Sequence, residues 1–137
     1  MSAIIDPIAG IASRLKQSFD PWYEAPIEVW EHFASLCEFV SFRKNEIMKE
    51  AGAVERSGYF ILSGAAGLFV WRDGNCVCLE LAFEGEFFAD SMSLYTEQVS
   101  DVEARAIEDC DMLRISAENI ALLKQSEMGR MLFLIAT

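Results

Sequence analysis

The stretch from Phe39 to Ile115 constrains the fold most, because short β-prone apolar runs alternate there with turn residues. Asp73 and Gly74 stand between two apolar runs and favour the positive φ angles of a two-residue hairpin turn. Many short strands with turns at this density predict a mainly β jelly-roll barrel over residues 39–115. The glycines that separate the runs are Gly52, Gly58, Gly64, Gly74 and Gly85.

Helical patterns precede the predicted barrel, in residues 1–38. Asp6 is placed to cap a helix that has Pro7 in its first turn, and apolar residues follow at helical spacing. Pro26 opens a second predicted helix that runs to about Cys37. We therefore expect N-terminal helices, then the barrel.

Helical patterns also follow the barrel, in residues 116–137. Ser116 is placed to cap a short helix from Ala117 to Lys124, and Glu127 to Thr137 begins another. The last segment is nearly all apolar, so we expect it to pack against the barrel or against a second copy of the chain.

The chain has the length of one domain and is strongly acidic, with 137 residues and a formal net charge of −11. This charge argues against a nucleic-acid surface, which needs clustered basic residues to neutralise phosphates. The simplest explanation of the acidity is a solvated surface. A signal peptide and a membrane-length apolar run are both missing from the pattern, so we expect a cytoplasmic protein without a membrane partner.

The four cysteines and the single histidine exclude several kinds of chemistry. Cys37, Cys76, Cys78 and Cys110 show no metal-ligand spacing, and Cys76 and Cys78 point to the same strand face, where they are poorly placed to bridge each other. Reduced, buried thiols are the expectation, with a thiol-based redox sensor as the alternative. Because His32 stands alone, we expect no catalytic histidine pair and no metal site. No nucleophile or acid–base pair can be named either, so we expect no enzyme; we also expect no cofactor.

Several motifs between residues 42 and 115 resemble the sensor domain of the Crp/Fnr regulators, which belongs to the cyclic-nucleotide-binding-domain superfamily. They follow one another in the order of that family. In chain order they are FRKNEI at 42–47, YFILSG at 59–64, DG at 73–74, GEFFAD at 85–90, VSDVEA at 99–104 and EDCDMLRI at 108–115.

This resemblance implies a double-stranded β-helix (jelly-roll) barrel with a regulatory, ligand-sensing and non-catalytic role. It also implies that the apolar C-terminal segment begins a dimerisation helix and thus a homodimer. In the family, DNA is bound through a helix-turn-helix domain. This chain contains no such domain, so DNA would be reached only through a domain absent from it.

The resemblance also identifies a phosphate-binding cassette in which key positions differ. Family members that bind a cyclic nucleotide use a glycine, a glutamate and an arginine, the arginine to hold the phosphate. Here Ala89, Asp90 and Ser100 stand at those positions, and Asp101 adds a negative charge. A charge-assisted hydrogen bond contributes about 1.5–3 kcal/mol, so a degenerate cassette that does not bind cyclic AMP in the usual way is predicted. A cyclic nucleotide is therefore disfavoured as a cofactor.

Eight residues form the candidate ligand site, and the pattern leaves two interpretations open. In one, the polar positions bind an unknown, neutral or cationic small molecule; in the other, they cap the cassette helix and satisfy backbone groups. The second makes the barrel a ligand-free structural or dimerisation module. The candidate residues are Gly85, Phe88, Ala89, Asp90, Ser91, Ser93, Ser100 and Asp101.

Two further expectations concern Arg105 and the aromatic residues of the strands. Strand alternation places Arg105 on the face opposite Ser100, so it should not replace the missing arginine. The strand aromatics are expected in the barrel core. They are Tyr59, Phe60, Phe69, Trp71, Phe83, Phe87 and Phe88.

Overall fold

The computed structural model describes residues 7–19 and 26–126, which form four helices and eight strands. The helices fall in one compact unit and the strands in another, which spans residues 39–117 and also holds the short helix α3. In chain order the elements are α1 (Pro7–Phe19), α2 (Ile27–Ser35), β1 (Glu38–Phe42), β2 (Ile47–Lys49), β3 (Ser57–Ser63), β4 (Ala65–Arg72), β5 (Asn75–Phe83), β6 (Phe87–Phe88), α3 (Ser91–Thr96), β7 (Glu103–Ala106), β8 (Cys110–Ser116) and α4 (Ala117–Gln125).

The strands form two four-stranded sheets, in the orders β1-β8-β3-β6 and β2-β7-β4-β5. Strand β3 pairs antiparallel with β6 and β8, and β4 pairs antiparallel with β5 and β7. The apolar core contains side chains from both sheets, so the predicted jelly-roll architecture is confirmed. Core members include Tyr59, Ile61, Leu68, Phe88 and Met112.

The predicted hairpin between β4 and β5 is confirmed. Arg72 pairs with Asn75 across a two-residue loop, in which Asp73 and Gly74 have φ angles of 52° and 80°. These positive angles match the turn type that fits the twist of the flanking strands.

Gly64, between β3 and β4, is required by a close backbone approach. Its φ is 94°, and a Cβ atom built there would lie 2.4 Å from the carbonyl oxygen of Asp109. A larger residue would have to move backbone, so only glycine fits this junction.

The expectation for the strand aromatics is wrong for three of the seven. Tyr59, Phe60 and Phe88 are buried and Phe69 is half-buried. The exposed members are Trp71 (54%), Phe83 (53%) and Phe87 (40%). Strands β5 and β6 are the last strands of their sheets, and beyond Phe69 strand β4 pairs only with β5. The three exposed side chains therefore have strand neighbours on one side only. Strand propensity therefore did not imply burial.

The helical unit agrees with the predicted elements inside the described residues. Pro26 is the N-cap of α2, and the helix ends at Ser35 with Leu36 as its C-cap, slightly before Cys37. Helix α1 packs against α2, and the side-chain amide of Asn119 in α4 donates to the Leu36 carbonyl at 2.9 Å. The predicted cap at Asp6 and the segment from Glu127 to Thr137 lie outside the described residues. None of the helices that the structure describes has the length and apolarity needed to span a membrane.

Candidate functional site

The cassette helix α3 is short and tied down at both ends. Asp90 is its N-cap and accepts a hydrogen bond at Oδ1 from the Ser93 backbone N–H, at 3.4 Å. Glu97 ends the helix in the left-handed conformation, with φ of 59°. The Ser93 hydroxyl donates to the Gln98 carbonyl at 2.6 Å. Asp90 and Ser93 are both buried, so these polar groups are satisfied inside the protein.

Lys49, from the end of β2, places a buried ammonium group beside the cassette. Its Nζ atom lies 3.3 Å from Asp90 Oδ2 and 3.1 Å from both the hydroxyl and the carbonyl oxygen of Ser100. It also donates to the Val102 carbonyl at 2.8 Å. Since an ammonium group has three protons, these four oxygen atoms take up its donor capacity.

Ser100 connects Asp90 to the start of β7. Its hydroxyl donates to Asp90 Oδ2 at 2.5 Å and accepts from the Val102 backbone N–H at 3.0 Å. The Ser100 carbonyl accepts from the Gly52 N–H at 2.7 Å in addition to Lys49. Ser100 therefore acts as a junction between three chain segments.

Glu55 supplies a second buried carboxylate. It accepts from the backbone N–H groups of Asp90 and Ser57, both at 3.4 Å, and its own N–H donates to the Ser93 hydroxyl at 2.9 Å. Burial raises the pKa of Glu55, and the charge of Asp90 acts in the same direction; the two N–H bonds and the Lys49 ammonium oppose the rise. A proton is thus held more tightly here than on an exposed glutamate.

We call this group the Lys49–Asp90 cluster, which comprises Lys49, Glu55, Asp90, Ser93 and Ser100. Three of its members, Asp90, Ser93 and Ser100, are among the residues predicted from the sequence. The other two, Lys49 and Glu55, were not predicted. The contacts of Lys49 with Asp90 and Ser100 cross 41 and 51 residues of chain. Local patterns carry no signal for such contacts; the one hint is a lysine directly after the apolar pair Ile47 and Met48.

The remaining predicted residues lie outside the cluster. Phe88 and Ala89 are buried in the strand unit, and Ser91 is exposed at the start of α3. Gly85 is in a turn with φ of 86°, and its N–H donates to the Ile61 carbonyl at 2.8 Å. None of these four residues contributes a polar side-chain group to the Lys49–Asp90 cluster.

Asp101 and Arg105 have partners of their own. Asp101 is exposed and accepts from Arg72 at 2.9 Å; this guanidinium group lowers the pKa of the Asp101 carboxyl. The Arg105 guanidinium carbon lies 4.3 Å from the ring centroid of Phe69, and its Nε is 3.5 Å from Glu103 Oε1. Arg105 is therefore engaged in a cation–π contact and an ion pair.

A separate polar groove of about 790 Å³ lies where β1, β3 and β8 meet. Asp111 accepts there from the hydroxyl groups of Ser41, at 2.7 Å, and Ser63, at 3.5 Å. No member of the Lys49–Asp90 cluster lines this groove. The lining residues are Ser41, Phe42, Arg43, Glu46, Ser63, Asp109, Cys110 and Asp111.

The two sheets, with the cassette helix between β6 and β7, define a jelly-roll fold. The family model described as "Cyclic nucleotide-binding domain" matches residues 39–127. This chain therefore belongs to the cyclic nucleotide-binding domain family, as the sequence motifs predicted.

Solved structures with the same fold include transcriptional regulators. The sensor domain of the regulator DNR from Pseudomonas aeruginosa superposes with a TM-score of 0.76 at 18% identity, over 96% of this chain and 88% of that one. The Thermus thermophilus catabolite activator protein gives 0.68 at 24% identity, over 85% of this chain and 53% of that one. The chain thus spans about half the length of the Thermus protein.

The fold is also similar to a protein with cyclic AMP in its structure. The regulatory domain of Toxoplasma gondii PKA, solved with cAMP, gives a TM-score of 0.73 at 14% identity, over 91% of this chain and 48% of that one. At these identities the similarity establishes the fold. A search of curated proteins gives no match to this chain.

Proposed function

We propose that this chain is the ligand-sensing, non-catalytic domain of a Crp/Fnr-type transcriptional regulator, and that its cassette does not bind cyclic AMP in the usual way. The observation that supports the second half is the state of Lys49. Its buried ammonium group is enclosed by oxygen atoms of Asp90, Ser100 and Val102, so it offers no donor to an incoming phosphate.

The charge of the Lys49–Asp90 cluster supports the same proposal. Lys49 is the only cation among the five members, and Asp90 and Glu55 bring two buried carboxyl groups. A cyclic phosphate would add an anion to this environment, and burial strengthens the repulsion between like charges. Without an arginine at position 100, binding also loses about 1.5–3 kcal/mol, or about ten- to a hundredfold in affinity.

From the family resemblance we also propose how the regulator works beyond this barrel. The signal would pass from the cassette to the C-terminal helix and a dimer partner, and DNA would be contacted by a separate domain. The ligand would be a neutral or cationic small molecule, and the protein would act in the cytoplasm.

A second candidate is a ligand-free structural or dimerisation module on the same barrel. The mutual hydrogen bonding of Asp90, Ser93 and Ser100 favours it, because these polar groups need no ligand to be satisfied. In such a module the contacts of the Lys49–Asp90 cluster would stay intact, and no small molecule would displace Lys49 from Asp90 and Ser100.

Calorimetric titration with cyclic AMP and cyclic GMP tests the proposal. We expect no binding heat at protein concentrations that would detect millimolar affinity. A micromolar dissociation constant for either nucleotide would refute the proposed loss of cyclic-nucleotide binding.

A double variant, Ser100→Arg with Lys49→Ala, tests whether the missing arginine and the enclosed Lys49 prevent cyclic AMP binding. It restores the family arginine and removes the competing ammonium group, so cyclic AMP affinity should rise by about tenfold or more over the wild type. The matched control, Ser91→Arg with Lys49→Ala, adds the same charge at an exposed position and should not gain affinity while circular dichroism shows it folded. Equal gains in both variants would show that general positive charge, and not the cassette, limits binding.

A further inference from the structure

Cys76 and Cys78 form a pair of exposed thiols on one face of β5. Cys76 pairs with Trp71 and Cys78 with Phe69, two positions that are also two residues apart on β4. The register of the two strands is regular across these pairs and shifts only beyond Phe69. The expectation of buried thiols is wrong for this pair: both are exposed, and β5 is the last strand of its sheet, so solvent reaches them.

The spacing of this pair suits a bridging ion better than a disulfide. Two residues of a strand span about 6.6 Å, whereas the Cβ atoms of a disulfide lie about 3.8 Å apart. A bond between a thiolate and a soft metal is about 2.3 Å long, so two sulfurs on opposite sides of one ion lie about 4.6 Å apart. Rotation about the Cα–Cβ bonds can bring the two sulfurs to this separation without moving the strand.

The surroundings restrict which metal the pair can hold. In residues 7–19 and 26–126 no group of three or more His, Cys, Asp or Glu is close enough to hold a metal ion. A tetrahedral zinc site would therefore lack ligands. Soft thiolates select Cu(I), which is stable with two sulfur ligands in a linear arrangement.

A cation is already in place beside the pair. The Arg105 Nη2 atom lies 3.7 Å from the Cys76 sulfur, and the stacking on Phe69 keeps the guanidinium group there. A bis-thiolate complex of Cu(I) carries one negative charge, which this guanidinium group offsets.

We propose that Cys76 and Cys78 form a two-thiolate binding site for Cu(I) on β5. One Cu(I) ion replaces the two thiol protons, which pass to solvent, and the copper keeps its oxidation state. The site lies on a different strand from the cassette and does not depend on the function proposed for the Lys49–Asp90 cluster.

Anaerobic titration of the full chain with Cu(I), in competition with bicinchoninate, tests this site. We expect one copper ion per chain and an oligomeric state that copper does not change. X-ray absorption should give two sulfur ligands at one distance. Cys76→Ser and Cys78→Ser should each weaken binding by at least about a hundredfold, because the second thiolate acts at high effective concentration.

Cys37→Ser is the matched control, because burial raises the pKa of this thiol to about 12 and keeps it protonated. Its copper affinity should equal that of the wild type, and circular dichroism should show all three variants folded. The proposal is overturned if either Cys76→Ser or Cys78→Ser keeps full affinity, if Cys37→Ser loses it, or if one copper binds per two chains.

Discussion

Two ion pairs lie on either side of the Ser100–Asp101 bond: Lys49 with Asp90, and Arg72 with Asp101. Each joins a basic side chain to an aspartate, but the two pairs differ in distance and in burial. Lys49 and Asp90 are 3.3 Å apart, with side chains only 3% and 7% exposed. Arg72 and Asp101 are closer, at 2.9 Å, but their side chains are 61% and 68% exposed. The longer contact is the one that the protein has removed from water.

Burial, and not distance, decides how much such an ion pair contributes to stability. In water, solvent screens both charges and the side chains lose entropy on pairing, so little net energy remains. In the interior, each charge has lost its hydration, and removing one partner leaves the other without compensation. The buried pair should therefore maintain the cassette, and the exposed pair should not.

The largest effect is expected from Lys49→Ala. This change leaves Asp90 buried without its cation and should lower the free energy of unfolding by about 3–5 kcal/mol, measured by urea denaturation at pH 7. Lys44→Ala removes an exposed lysine and is the control, with little change expected. A loss below about 1 kcal/mol for Lys49→Ala would mean that the buried pair behaves like a surface pair.

A double-mutant cycle measures the coupling between Lys49 and Asp90. Lys49→Met with Asp90→Asn removes both charges while asparagine can still cap α3, so the double variant should be more stable than the sum of the single losses predicts. We expect a coupling energy of about 1–3 kcal/mol from denaturation curves of the four proteins. Simple additivity would contradict direct coupling between the two groups.

A smaller effect, dependent on pH, is expected at Glu55. Because its pKa is raised in the folded protein, its contribution to stability is full below the ordinary value of 4.5 and is lost as the pH rises through the raised pKa. The free energy of unfolding of the wild type, relative to Glu55→Gln, should therefore fall between pH 4.5 and neutrality. Urea denaturation of both proteins across this range measures this fall. A constant difference between the two proteins would mean that folding does not change the pKa of Glu55.

The smallest effect is expected from Arg72→Ala. Its unfolding midpoint should match that of the wild type, since both partners are largely exposed. The local electrostatics should still change: Arg72 lowers the pKa of Asp101 chiefly through a hydrogen bond, so the pKa should return towards 3.8 in the variant. Carboxyl NMR titration measures this return, and an unchanged pKa would mean that another group lowers it.

The features that could be predicted from the sequence depend on residues that are close together in the chain. The hairpin at Asp73 and Gly74 depends on the φ angles of two adjacent residues, and the barrel depends on the strand period, so both are readable from short segments. Capping of α3 by Asp90 was one of the two interpretations open from the sequence, and it is also a local feature. Its geometry is set within three residues, at Ser93.

What could not be predicted depends on strand order and on long-range contacts. The exposure of Phe83 follows from the position of β5 at the edge of its sheet, and that of Trp71 from the end of the β4–β7 pairing at Phe69. No pattern within either strand specifies these neighbours. Lys49 meets Asp90 only because β2 and the cassette come together in the fold. A lysine in a short strand normally indicates a solvated side chain, and here its partner reverses that expectation.

The junction at Ser100 also has a consequence for hydrogen exchange. The backbone N–H groups of Glu55 and Val102 bond to the hydroxyl oxygens of Ser93 and Ser100, and not to a neighbouring strand. Neither amide can exchange with solvent until the cassette releases its serine side chains. Two segments far apart in the chain therefore share one opening event, and the cassette behaves as a single cooperative unit of local unfolding.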